Sequence, residues 1–129
     1  MTTKLVLAVA ATFEAVTGIV LIVAPNIVRL LLGTDISSAV LVIARMVGVG
    51  LLLLGVACWP RVEATIPRLR AMLVYNLLAT AYLGYLRFSS QSVGKLLLPA
   101  LAVHAALAIL FVGVWLKDHS TGASKRSWT

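Results

Sequence analysis

Glu14, Arg45, the neighbours Tyr75 and Asn76, and His104 each stand inside a long run of apolar residues. A carboxyl, a guanidinium, a carboxamide and an imidazole set among hydrocarbon side chains can pair with one another, hold a small molecule or carry a proton. Placing an ionisable group at the centre of a membrane-spanning helix costs roughly 2.5–3.5 kcal/mol on insertion scales. Such a group therefore faces a bundle interior, meets a partner and marks a candidate site. Tyr82, two turns after Tyr75, is placed to line the mouth of a cavity, and Tyr85 to join an outer aromatic belt.

The expected depths of these groups agree. Counting from the ends of the apolar runs at ~1.5 Å per residue places Glu14 and Asn76 ~15 Å deep, His104 ~12 Å and Arg45 ~9 Å. Four helices would then bring polar groups to one layer, slightly outside the midplane. Glu14 and Arg45 are the expected ion pair, since a guanidinium fork on a carboxylate satisfies several hydrogen bonds at once. Should they not meet, Arg45 is expected to snorkel outward. Each residue also has a plainer reading. The pair could lock helices together without chemistry, Asn76 could be an interhelical hydrogen-bonding group, and His104 a satisfied core histidine.

The elements that would position these groups follow from the apolar runs. Residues 5–24, 39–59, 69–86 and 96–116 are each long enough to cross ~30 Å of hydrocarbon. The first ends at Pro25-Asn26. Ser37-Ser38 offer N-caps to the second, and Pro60-Arg61 stop it. Pro67 precedes the third, and Pro99 falls in the first turn of the fourth. The stretch 27–33, one arginine among leucines closed by Gly33, reads as a short interfacial helix with a glycine C-cap or as a simple apolar loop. Residues 119–129 read as a polar, disordered tail after a single domain, 1–118.

Small residues on the first three spans (Ala11 and Gly18; Ala44, Gly48 and Gly55; Ala79) suggest close helix approach. Arg45 follows helical spacing with Gly48, Leu52 and Gly55, so it is expected on their inward face. The expected fold is all-α, an antiparallel four-helix membrane bundle. Trp59 and Trp115 read as interfacial anchors, Met46 and Met72 as gap-filling core residues.

Composition agrees. The 129 residues are 61% hydrophobic and 12% charged, with mean hydropathy +1.05, which places the chain outside the soluble class. The net charge of +7 punctuates apolar runs rather than forming a stripe, which points to lipid headgroups and not to nucleic acid. Seven basic residues (Lys4, Arg61, Arg68, Arg70, Lys117, Lys125, Arg126) face three (Arg29, Arg87, Lys95) across the expected membrane. That count puts both termini in the cytoplasm. Cys58 is the single cysteine, which excludes an internal disulfide and CxxC chemistry. No cofactor is indicated: haem would need a second axial ligand in the membrane, with His119 in the tail, and zinc a third ligand beside Glu14 and His104.

From Glu14 to Trp59 the chain resembles the DoxX-like group of small four-helix bacterial membrane proteins. The resemblance rests on Phe13-Glu14 with Gly18, Ala24-Pro25 followed by Leu30-Leu31-Leu32-Gly33, Ala44-Arg45-Met46-Val47-Gly48, and Leu54-Gly55 through Trp59. It implies a compact four-helix bundle in a bacterial cytoplasmic membrane, without an agreed activity. The wider group has been linked to redox or thiol-stress partners, chemistry for which this chain has only one cysteine. Ala8 to Gly18, with Glu14 ahead of Val16-Thr17-Gly18, is similar to the first helix of small multidrug resistance transporters. That likeness implies a glutamate exchanging protons for a cationic substrate. Arg45 has no counterpart in it.

The expected function is a non-enzymatic one, since no nucleophile–base arrangement or metal motif is present. A polar pocket of Glu14, Arg45, Tyr75, Asn76, His104 and Tyr82 would bind a small amphipathic or anionic ligand, with Arg45 as the cation, or dock a membrane partner. The alternatives are a proton-coupled transporter acting as an oligomer, with Glu14 as coupling carboxylate, and a structural subunit of a larger membrane complex.

Overall fold

A computed structural model describes residues 2–61, 65–89 and 94–124. It contains four long helices, α1 (Thr3–Val23), α3 (Ser38–Ala57), α4 (Thr65–Ser89) and α5 (Leu97–Ser124), and one short one, α2 (Val28–Leu32). There is no strand among the described residues. Three helices, α1, α3 and the Leu97–Lys117 part of α5, are long and apolar enough to cross a membrane. The fourth expected span falls in α4, which is not among them. Arg68, Arg70, Tyr75 and Asn76 dilute its apolar character.

The helix boundaries show their local causes. Ser37 caps α3, its hydroxyl accepting from the Val40 amide at 3.5 Å, and Arg68 Nε donates to the orphan carbonyl of Ala57 at the other end, at 3.2 Å. Gly33 ends α2 in the left-handed region at φ 71°, which glycine enters without a Cβ penalty. The expected tail begins later than residue 119, because α5 continues as helix to Ser124, and residues 125–129 lie outside the described ones.

The helices pack as two pairs, α1 on α3 and α4 on α5, with α1 joining the pairs. The α1–α3 contact is backbone-close. A Cβ on Gly18 would lie 2.6 Å from the Gly48 carbonyl oxygen, and one on Gly55 2.6 Å from that of Ala11. These small residues admit an approach that no side chain would allow. The α2 segment is tied to the approach of α5, with Gly94 donating to Leu31 at 3.1 Å and Leu96 to Leu30 at 2.8 Å.

The closed core lies at one end. Val6, Leu7 and Ala10 from the start of α1 meet Cys58 after α3, Leu69 and Met72 from the start of α4, and Leu107 and Phe111 from late α5. Trp115 packs against this cluster, while Trp59 is half exposed at 48%. Met72 is a core residue as expected. Met46 is not: it lies on the outer side of α3 and is 67% exposed.

Candidate functional site

Four of the expected polar residues meet. Glu14 and Asn76 are fully buried and His104 nearly so. Tyr75 Oη donates to Glu14 Oε2 at 3.1 Å. His104 Nδ1 lies 2.9 Å from Asn76 Oδ1, and Asn76 Nδ2 donates to the Met72 carbonyl at 2.9 Å. Glu14 Oε1 stands 3.9 Å from His104 Nδ1, too far for a hydrogen bond. It is the buried side-chain oxygen left without a partner among the described residues. The aromatic edges of Phe13 and Tyr75 hold the imidazole, with ring centroids 5.9 and 5.7 Å away and interplanar angles near perpendicular, 80° and 79°.

Helix geometry explains the convergence. On α1, Ala11, Ala15 and Gly18 point at α3. Glu14 is turned from Ala11 by about 60° at ~100° per residue, towards α4 and α5. Tyr75 and Asn76 are consecutive, so they diverge by about 100°: one reaches back to α1 and the other across to α5. Thr80 Oγ1, one turn on, bonds the Asn76 carbonyl at 2.7 Å.

Arg45 is not part of this group. It is exposed on α3, and Glu14 takes Tyr75 as its hydrogen-bond partner and not a guanidinium. The expected ion pair is therefore corrected, and so is the expected inward face. The buried face of α3 is Ala44, Gly48 and Gly55; Arg45 lies about 100° from Ala44 and about 60° from Gly48, past its edge. Moreover, α3 packs on α1 rather than on α4 or α5. It thus lies on the side of α1 away from Glu14's partners.

Above the polar residues lies an apolar cavity of about 560 Å³, a cleft open to the surface at Val16, Val47 and Tyr82, with a volume that suits a small ligand. Its walls come from the second half of α1 (Phe13 to Leu21), the α2 segment, Val47 and Leu51 of α3, Ala79 to Leu83 of α4, and the start of α5. Its polar lining is confined to Thr17, Tyr75, Tyr82 and His104. Tyr82, 62% exposed, contributes to this lining from the edge. No basic or acidic side chain is among the described residues that line it.

Two contributors were missed in the sequence. Thr17 follows Glu14 by three residues and so shares its face, a signal that was available. Ile27, just before α2, and Val28 and Leu31 of α2 carry no such signal, because only the tie to Gly94 and Leu96 brings them over the cavity.

Comparison of the chain with family models, with curated proteins and with solved structures finds no match. What the site can do must be read from its own chemistry. It can bury an apolar body and present a few hydrogen-bonding groups to one end of it.

Proposed function

We propose that this is a four-span membrane protein that binds a small amphipathic molecule, its apolar body in the cavity and its head on the Tyr75–His104 floor. The observation carrying this reading is the juxtaposition of about 560 Å³ of apolar space with a hydrogen-bonded polar cluster at one end. A structural polar layer alone would call for side chains packed over it rather than open space. In this reading α4 is the fourth span. It buries Met72 and Asn76 against its neighbours, and the charges Arg68 and Arg70 sit in its first two turns, within reach of headgroups. With Arg45 outside, an anionic head has no cation to meet in the cavity, so the amphipathic version is the one retained. The likeness to DoxX-like proteins is compatible with this arrangement, and the basic-residue count favours cytoplasmic termini.

The test is native mass spectrometry of the protein released from lipid nanodiscs, for retained small molecules and added long-chain probes. Ala79→Trp, which fills the cavity, should fold and lose the bound molecule. A wild-type protein that never carries one, or an Ala79→Trp variant that carries it unchanged, would sink the proposal. Orientation is checked by labelling cysteines placed at Ser89 and Ser120 in a Cys58→Ala background: external reagent should reach the first and not the second.

A second reading, proton-coupled exchange with Glu14 as the coupling carboxylate, draws on the unpartnered Oε1 beside His104. Proton flux in proteoliposomes that persists unchanged in Glu14→Gln would dispose of it.

A further inference from the structure

The hydrogen-bond directions at the floor restrict what the cavity can hold. The Met72 carbonyl only accepts, so the Asn76 atom facing it at 2.9 Å is the amide nitrogen. Its other side-chain atom, facing His104 Nδ1 at 2.9 Å, is therefore the oxygen, another acceptor. Nδ1 must then carry the hydrogen, and in the neutral ring Nε2 carries a lone pair. Among the described residues Nε2 has no hydrogen-bond partner, and it is not among the buried atoms that lack one. It lies on the ring edge opposite Asn76, and the ring lines the cavity and keeps 11% of its side-chain area accessible. Tyr75 repeats the pattern. Its only hydrogen is donated to Glu14 Oε2 at 3.1 Å, so its oxygen offers the cavity lone pairs alone. Thr17 can donate or accept and does not discriminate.

At Tyr75 and His104 the floor thus presents fixed acceptors, while the hydroxyls of Thr17 and of Tyr82 at the edge can donate or accept. We infer that the cavity selects an apolar molecule whose head is a neutral hydrogen-bond donor, an alcohol or phenol hydroxyl. This rests on the cavity being a ligand site. A carbonyl, ether or carboxylate head would set its oxygen against the lone pairs of Nε2 and Tyr75. A buried polar group left without its partner loses far more than a bond gained returns. An ammonium head could donate, but the carboxyl that would neutralise it is sealed: Glu14 has no exposed surface and is covered by Tyr75. A full charge would enter an apolar cavity without a counter-ion, a costly transfer.

The experiment uses the full chain in nanodiscs with ¹⁵N-labelled histidine. The chain has two histidines, so a His119→Gln variant assigns His104. Without ligand, the His104 spectrum should show Nδ1 protonated and Nε2 bare. Decanol, decyl methyl ether, decylamine and decanoate are then compared at equal concentration in the bilayer. Decanol should move the Nε2 resonance and bind about tenfold more tightly than the ether, the worth of one satisfied hydrogen bond at the upper end of its range. A hydrogen found on Nε2, or an ether or decanoate that binds as well as the alcohol, overturns the donor rule. Decylamine binding more tightly than decanol overturns the neutral head. Uptake of none of the four overturns the ligand reading beneath it.

Discussion

The two ends of the molecule treat the same kind of side chain in opposite ways. At one end Val6, Leu7, Met72 and Phe111 are wholly withdrawn from the surface and close on one another. At the other, equally apolar residues of the same helices stand apart and line open space. The polar group of Glu14, Tyr75, Asn76 and His104 lies between. Hydrophobicity alone therefore does not make a core; complementarity across helices does. The closed end has small residues on α1 that let the large ones of α4 and α5 reach it. At the open end the α2 segment and the start of α5 bridge the gap with backbone hydrogen bonds instead of filling it.

Substitutions should separate the two ends. The largest effect is expected for Phe111→Ala in the closed end, about 3–5 kcal/mol of stability by detergent-solubilised unfolding. Leu51→Ala, which enlarges a space already present, should cost much less. A cost at Leu51 equal to that at Phe111 would mean that the open end is as tightly packed in solution. Next, Gly55→Ala forces a Cβ to within 2.6 Å of the Ala11 carbonyl and should cost about 1–3 kcal/mol. The same change at Gly50, where a Cβ meets nothing within 4 Å, should stay within about 0.5 kcal/mol of wild type.

The polar layer comes third. Asn76→Leu strands His104 Nδ1 without its acceptor, and a loss of about 1–3 kcal/mol is expected. The partition within the layer is sharpened by two double-mutant cycles. Glu14→Gln with Tyr75→Phe should be non-additive, because the two side chains touch. Glu14→Gln with Arg45→Met should add to within about 0.3–0.5 kcal/mol, because they do not. Strong coupling in the second cycle would restore the ion pair that the structure lacks. The smallest stability effect belongs to Ala79→Trp. It should leave unfolding nearly unchanged while abolishing retention of small molecules.

Much of this was legible in the chain. Helix existence follows from apolar run length, the ends from Ser37, Gly33 and the prolines, and the depth of the polar layer from counting residues along straight rods of known rise. Glu14, Asn76 and His104 meet because equal depth was a sound guide. Depth says nothing about azimuth, and that is where the reading of Arg45 went astray. A residue at the right height lies on the wrong side when its helix packs elsewhere, and only the pairing of α3 with α1 reveals that it does.

The division has a physical basis. Local sequence determined the helices, their caps and the cost of each polar group in an apolar run, since these depend on neighbours within a few residues. The packing of helices in pairs, the tie of α2 to the start of α5, the empty space that results and the direction of each hydrogen bond at its floor are decided by contacts between segments far apart in the chain. Tyr75 and His104 were visible from the start as residues. That one takes its hydrogen bond to Glu14 and the other to Asn76, leaving both to face the cavity as acceptors, is a property of the folded arrangement alone.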